Sequence, residues 1–200
     1  IVNCTLAANL TQGSGRGALS ALSGSSVQVF NTIIWENNNS FSEMDQIREQ
    51  GGFVEVYDSV ISGLSSFSGN NNTDNDPGFA NPPVDFRLTE FSAALDSGDN
   101  ARLALTGPFS GIVLAYDRDQ AARILNGTVD RGAYEYAPQL LFDGDRDGDI
   151  DMVDARAFEA CMQGPTGGIG ADCTAFDGDA DGHITLADFA GFQMAFTGSD

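Results

Sequence analysis

Two segments of the chain place aspartate at alternating positions of a twelve-residue stretch. In the first segment, positions 1, 3, 5, 9 and 12 are aspartate and position 6 is Gly148. In the second, positions 1, 3, 5 and 12 are aspartate, position 9 is threonine and position 6 is Gly182. The residues are Asp143, Asp145, Asp147, Asp151 and Asp154 in the first segment, and Asp177, Asp179, Asp181, Thr185 and Asp188 in the second.

This spacing is that of a calcium-binding loop. Calcium prefers about six to eight hard oxygen ligands, and a sharp glycine turn at position 6 folds alternate side chains onto one centre. Position 7 ligates through its backbone carbonyl, so Asp149 and His183 need no particular side chain there. We therefore predict two Ca²⁺ ions, and we interpret His183, the single histidine, as a carbonyl ligand and not as a catalytic group.

A helical pattern follows each of these segments. The stretches "MVDARAFEACMQG" and "LADFAGFQMAFTG" align without a gap, and each ends at a glycine, the usual stop signal of a helix. No helix is expected before either loop, because Pro138 and Cys173 stand close to the loop starts. Position 12 is aspartate, where an EF-hand has glutamate. The sequence thus predicts a loop followed by a helix, repeated twice.

The duplicated unit resembles a type I dockerin domain over residues 140 to 200. The resemblance rests on the motif DxDxDGxxxxxD, which is complete in both segments. It implies a small all-α, dockerin-like domain, placed at residues 139–200, that docks onto a cohesin-like partner through the helix faces of the two repeats. The long insertion between Cys161 and Cys173 departs from the family pattern and leaves the identity of the partner open.

The cysteines predict one disulfide. Cys161 and Cys173 bracket a glycine-rich loop that such a bond would close, and this implies an oxidising compartment. Cys4 is then left over, either as a buried thiol on a strand or as an intermolecular bridge.

Three N-terminal segments repeat one pattern: "IVNCTL", "VFNTII" and "VYDSVI". Their Asn or Asp positions, Asn3, Asn31 and Asp58, are 28 and 27 residues apart. Short β-rich segments at such a period are typical of a solenoid, in which these three side chains would form one ladder. We therefore predict a right-handed parallel β-helix for residues 1–138, with a β-sandwich as the alternative.

The first coil of this β-helix would present an unpaired β-edge at residues 1–6, which invites pairing with another chain. The chain starts without methionine, so we expect a processed product or a fragment.

Residues 76–136 contain, in order, "DPGF", "DFRL", "SAALDSGD" and "DRGAYEY". These pieces resemble the closing segment of secreted bacterial parallel β-helix proteins, with Ala94 where the family usually has proline. The resemblance implies that fold and a secreted, extracellular or cell-surface location. It implies no single activity.

Charge and hydropathy exclude two classes of partner. The net charge is −20 and the chain has no lysine, so a nucleic-acid backbone would be repelled. No run of about 18 apolar residues exists, and we expect no membrane span.

Two functions from different classes remain. The first is an extracellular, non-catalytic, calcium-binding structural protein. It would assemble with other subunits, docking either to itself in a head-to-tail filament or to a cohesin-like receptor, with a polysaccharide as a further candidate ligand. The alternative is the anchoring C-terminal part of a larger carbohydrate-active enzyme, a polysaccharide lyase or hydrolase. We favour the first, because the acidic residues around Glu36, Glu49 and Glu55 have no lysine beside them and so few coils cannot build a long substrate groove.

Overall fold

The structure is a computed structural model, and it describes residues 1–11, 18–39, 46–63, 69–138, 140–145, 148–162 and 169–197. The chain forms two compact units. The first unit comprises residues 1–118 and 122–136, and the second comprises residues 119–121 and 137–200.

Short β-strands build the first unit. Alternation of apolar and polar side chains favours them, as in the strand Phe53–Tyr57, where Val54 and Val56 are fully buried on one face. The strands are β1 (Thr5–Ala7), β2 (Leu10–Thr11), β3 (Leu19–Leu22), β4 (Ser26–Phe30), β5 (Ile33–Trp35), β6 (Asn38–Asn39), β7 (Ile47–Gln50), β8 (Phe53–Tyr57), β9 (Val60–Ile61), β10 (Phe79–Asn81) and β11 (Asp85–Leu88).

Most of these strands pair in parallel with a strand one sequence repeat further along. The offset is 28 residues where β1, β2 and β3 pair with β5, β6 and β7, as in Thr5 opposite Ile33. The offset is 27 residues where β4 pairs with β8 and β5 with β9. Strands β10 and β11 pair antiparallel. The repeat seen in the sequence is thus the spacing of neighbouring parallel strands.

The predicted parallel β-helix is nevertheless wrong. The described strands have two to five residues and form small mixed sheets, one of three strands and four of two, and the described ranges contain no closed solenoid. Residues with positive φ, such as Asn31, Glu36 and Asp58, end several strands early, because this backbone region is incompatible with extended structure. Beyond β11 the chain turns through the 3-10 helices Asn100–Leu103 and Gly107–Phe109.

Two buried asparagines connect the β-strands to the later part of the first unit. The Asn31 side-chain amide donates to Asn3 Oδ1 at 3.2 Å and to Asp99 O at 3.0 Å, and its Oδ1 accepts from Asp99 N at 2.8 Å. The Asn3 amide donates to Asp130 O at 3.1 Å. Asp58, the third member of the expected ladder, accepts instead from Asn71 Nδ2 at 2.7 Å. These bonds hold residues 99 and 130 against the strands.

A cluster of buried charged groups lies in the same segment of the first unit. Both Glu135 carboxylate oxygens accept from Asp130 N, and Glu135 Oε1 lies 3.4 Å from Arg123 Nη1. The Asp130 carboxylate accepts from the backbone N–H groups of Asp96 and Tyr136 at 2.6 and 2.7 Å. Burial raises the pKa of Asp130 to about 6 and the pKa of Glu135 to about 8.

We expect the first unit to lose stability as the pH rises from 5 to 9. Both carboxyl groups have higher pKa values in the folded than in the unfolded chain, so protonation favours folding and this contribution disappears as the pH passes about 6 and about 8. Above pH 5 the fall extends over about one pKa unit for Asp130 and about three for Glu135, and at about 1.4 kcal/mol per unit the free energy of unfolding should fall by at most about 6 kcal/mol. Denaturant titrations followed by Trp35 fluorescence measure it. In Glu135→Gln the fall between about pH 6 and about pH 8 should be missing, and an equal fall in both chains would show that Glu135 is not the cause.

The second unit has a different construction. It contains two α-helices, α1 (Met152–Cys161) and α2 (Leu186–Ala195), and the 3-10 helix Ala171–Phe176. Its core is a cluster that includes the aromatic rings of Phe142, Phe158, Phe176 and Phe192.

The all-α, dockerin-like fold predicted for residues 139–200 is also wrong. The residues described there contain only two α-helices, of ten residues each, and the one short 3-10 helix, and much of the remainder is loop. Aspartate and glycine, which dominate the two predicted calcium segments, disfavour helix interiors. None of the helices in the described ranges is long and apolar enough to cross a membrane.

Candidate metal centre

The first aspartate-rich loop closes around two fully buried carboxylates, Asp143 and Asp154. Asp154 Oδ1 accepts from Gly144 N at 2.7 Å, and its Oδ2 accepts from Asp151 N at 2.8 Å. Asp143 Oδ2 accepts from Gly148 N at 3.1 Å. Gly148 has φ of 95°, the left-handed turn that glycine adopts without strain. Both ends of the loop are therefore fixed by bonds from carboxylate to backbone.

The second loop repeats this arrangement position by position. Asp188 is 1% exposed, its Oδ1 accepts from Gly178 N at 2.8 Å and its Oδ2 accepts from Thr185 N at 2.7 Å. Asp177 Oδ2 accepts from Gly182 N at 3.1 Å, and Gly182 has φ of 85°. The same local sequence thus gives the same loop geometry twice.

Each loop brings three carboxylates together. One oxygen from each member of a group lies within 4.8 Å of the others; the groups are Asp143 with Asp145 and Asp154, and Asp177 with Asp179 and Asp188. Two oxygens bound to one Ca²⁺ at about 2.3–2.6 Å can be at most about 5 Å apart. The spacing of the carboxylates therefore fits a shared calcium ion.

Two more predicted ligands of the first loop lie around the same position-12 carboxylate. Asp149 and Asp151 form a second group with Asp154, again within 4.8 Å. Asp149 thus contributes its side chain to this cluster, where the sequence predicted a role for its carbonyl. The predicted ligand Asp147 lies outside the described residues.

The side chains of two other predicted ligands of the second loop accept hydrogen bonds from backbone N–H groups. Asp181 Oδ1 accepts from His183 N at 2.8 Å, and Thr185 Oγ1 accepts from Ala187 N at 3.1 Å. Among the described acidic side chains, Asp181 stays outside the group of three carboxylates. His183 is half-buried, and its backbone carbonyl remains the predicted ligand.

The sequence interpretation missed a second role of the position-12 aspartates. Asp151 caps α1 and Thr185 caps α2, and each cap is completed by the aspartate three residues later, Asp154 or Asp188. The signal was present in the sequence as D-x-x-D and T-x-x-D before an apolar run, the pattern of a capping box. The first turn of each helix therefore positions the last carboxylate of its loop.

Backbone N–H donors favour the ionised form of the Asp188 carboxyl group. Burial alone would raise the pKa of this carboxyl group, but the N–H groups of Thr185, Gly178 and Asp179 hold the pKa below its ordinary value. The ionised form, which a metal ion requires, is the favoured one.

The predicted disulfide is present. Cys161, the last residue of α1, is bonded to Cys173 in the 3-10 helix, with a Cα–Cα distance of 5.6 Å. It connects the end of the first loop–helix repeat to the segment that precedes the second loop. Cys4 is half-buried and outside any disulfide, and its Sγ lies 3.2 Å from Val2 O.

No family model, no curated protein and no solved structure matches this chain. The two family resemblances therefore stay predictions, and the function has to be argued from the site itself.

Proposed function

We propose that this protein is an extracellular, non-catalytic, calcium-binding structural protein that assembles by docking its second unit onto other protein subunits. The observation that carries the proposal is the convergence, in each of two equivalent loops, of three carboxylates within 4.8 Å. Calcium would be held by the side chains at positions 1, 3 and 12 and by the other loop oxygens predicted from the sequence.

The donor set supports calcium over other ions. The converging side-chain donors in both loops are carboxylate oxygens, which suit Ca²⁺ and Mg²⁺ better than zinc or copper. Mg²⁺ demands a nearly ideal octahedron at about 2.0–2.1 Å, whereas Ca²⁺ accepts about six to eight oxygens in flexible geometry. A loop with carboxylates at four or five of its ligand positions matches the second description.

The role of the ion would be structural. Each loop concentrates like charges that repel one another, and a bound divalent cation converts this repulsion into attraction. Because the ligands belong to the backbone turns that start α1 and α2, ion binding and folding of the second unit become one equilibrium.

The perturbed acids elsewhere support a non-catalytic interpretation. Carboxyl groups with raised pKa values are candidates for catalysis when they line a cleft. Asp130 and Glu135 are only 3% and 9% exposed, and their carboxylates accept hydrogen bonds from backbone N–H groups of their own unit. Their environment is that of structural groups.

The proposed location rests on the disulfide. A bond between Cys161 and Cys173 persists in an oxidising compartment, such as the exterior of a cell. Extracellular calcium modules work at about 10⁻⁴–10⁻³ M, an affinity that aspartate-rich loops can supply.

Apolar side chains exposed on each of the two helices are the proposed docking contacts, here named the helix contacts. Met152 and Leu186, which stand at the same position of the two repeats, are 59% and 75% exposed, and Met194 on α2 is 86% exposed. Exposed apolar residues of this kind on an otherwise acidic protein favour contact with the apolar surface of another protein. Docking to a second copy and docking to a cohesin-like receptor remain the two proposed modes.

Sedimentation velocity tests this function. In about 2 mM calcium, a self-docking chain should form species above 21.0 kDa that increase with concentration, and Leu186→Ser should remain monomeric. The matched control is Val84→Ser, which removes an equally exposed apolar side chain from the first unit. A compact monomer at every concentration would leave receptor docking as the mode. A chain that sediments identically with calcium and with chelator, in mass and in shape, would contradict the proposal.

A further inference from the structure

We propose that the two calcium loops are coupled through a reciprocal contact, in which the phenylalanine that precedes each loop packs against the position-2 glycine of the other loop. This inference rests on the proposed calcium binding and adds to it a mechanism by which the two sites respond to each other. The contact, here named the Phe–Gly clasp, consists of Phe142 with Gly178 and Phe176 with Gly144.

The sequence places the two partners of the clasp identically in both repeats. The tetrapeptide "FDGD" occurs at residues 142–145 and again at residues 176–179. In each copy, the aspartate after the phenylalanine is position 1 of the calcium loop, and the following glycine is position 2. In each repeat, the clasp phenylalanine, the position-1 ligand and the clasp glycine are therefore three consecutive residues.

The first half of the clasp joins the start of the first loop to the second loop. Phe142 is 4% exposed, and a Cβ atom added to Gly178 would lie 2.6 Å from the tip of its ring. The ring also lies against Gly191 of α2, where an added Cβ would be 2.8 Å away. Only glycine leaves room for the ring at these positions.

The second half runs in the opposite direction. Phe176 is 1% exposed, and its ring tip occupies the space that a Cβ atom at Gly144 would need. Between the two halves, Phe142 N donates to Ala175 O at 2.9 Å, so the backbones that enter the two loops are joined directly.

The clasp also reaches the position-12 carboxylates. Gly144 N donates to Asp154 Oδ1 at 2.7 Å, and Gly178 N donates to Asp188 Oδ1 at 2.8 Å. Each clasp glycine thus lies between a ring from the other repeat and the last ligand of its own loop.

Through this arrangement, the calcium affinity of each loop depends on whether the other loop is occupied. Calcium at the first loop fixes Asp143 and with it the adjacent Phe142 ring, and the ring then favours the ordered position of Gly178 in the second loop. Binding at the second loop acts on the first through Phe176 in the same way, as linkage requires. Couplings of this kind typically change affinity by about 5- to 150-fold, and for a buried contact made twice we expect about tenfold.

The experiment follows each loop separately during a calcium titration by two-dimensional NMR, using the amide signals of Gly148 and Gly182 at position 6. The second loop is disabled by Asp179→Ala, because Asp179 is exposed, belongs to the group of three carboxylates in that loop and lies outside the clasp. In the otherwise native chain, this change should lower the affinity of the first loop about tenfold. In the Phe142→Leu background, which shortens the side chain that reaches Gly178, the same change should lower it only about twofold.

The matched control is Phe189→Leu. Phe189 belongs to the same aromatic cluster, with its ring centroid 5.6 Å from that of Phe158, and the full tenfold effect should persist there. If Phe142→Leu does not fold in saturating calcium, Gly178→Ala replaces it, because the added methyl group displaces the same ring. If the native chain binds two calcium ions and disabling one loop leaves the affinity of the other unchanged, the coupling is wrong and the proposed function still stands. A native chain that binds no calcium would overturn the proposed function as well.

Discussion

Chelation of calcium is expected to unfold the second unit and to leave the first unit folded. Without the ion, each loop holds three carboxylates within 4.8 Å of one another. In the first loop two of the three, Asp143 and Asp154, are completely buried. Metal binding that is coupled to folding contributes its free energy to folding, and even a calcium site of a few kcal/mol would decide the state of so small a unit.

The chain carries a convenient internal reference for this experiment. Trp35, the single tryptophan, is in β5 of the first unit, and the described α-helices both belong to the second. Chelator should therefore remove most of the helical far-UV circular dichroism while the Trp35 fluorescence stays constant. Asp143→Asn combined with Asp177→Asn should reproduce the chelated state in the presence of calcium. Asp74→Asn, at an exposed position of the first unit, is the matched control and should behave as the native chain. Persistence of the helical signal in chelator would contradict calcium-dependent folding.

Replacement of Asn31 by alanine is expected to cost the first unit about 4 kcal/mol of stability. The change removes the partners of one buried group, Asn3 Oδ1, and of two half-buried groups, Asp99 O and Asp99 N, and a buried group left unsatisfied costs about 1–3 kcal/mol. Asn31 also has φ of 48°, a conformation that alanine adopts less readily than asparagine. Denaturant unfolding followed by Trp35 fluorescence measures the loss.

Asn71→Ala separates the two causes. Asn71 has φ of 57° and is exposed, so its replacement carries the same backbone cost and loses an exposed hydrogen bond to Asp58 Oδ1, but no buried one. We expect this control to lose about 1 kcal/mol or less. Equal losses in both variants would show that the Asn31 amide contributes little, and the connection from the strands to Asp99 would then need another explanation.

The convergence of carboxylates in the two aspartate-rich loops was predictable from the sequence because the loop geometry is local, while calcium binding stays a prediction. Alternating aspartates around Gly148 and Gly182 lie within one turn of chain, so the spacing alone brings positions 1, 3 and 12 together. The capping role of Asp154 and Asp188 was equally local and was missed because the ligand pattern accounted for the same residues.

The fold of the first unit was predictable only in part. The 28- and 27-residue spacing of Asn3, Asn31 and Asp58 is the register offset of the parallel strand pairs. The number of residues that each strand keeps extended depends on where the backbone enters positive φ, which a repeat pattern does not reveal. The predicted solenoid therefore gave way to small separate sheets.

Long-range polar contacts were the least accessible to sequence reasoning. Asn3 meets the carbonyl of Asp130 across 127 positions, and Glu135 meets Arg123 in a buried pair. Nothing in the local sequence of these residues distinguishes a buried acid from an exposed one, because burial is decided by the packing of the whole unit. The same holds for the Phe–Gly clasp, in which each partner belongs to the other repeat.

Calorimetric titration of calcium into the chelator-treated chain tests the central claim most directly. We expect saturable binding of two ions per chain, reduced to one in Asp179→Ala, with recovery of the helical circular dichroism as the ions bind. The absence of saturable binding at millimolar calcium, or binding that leaves the helical signal unchanged, would contradict it.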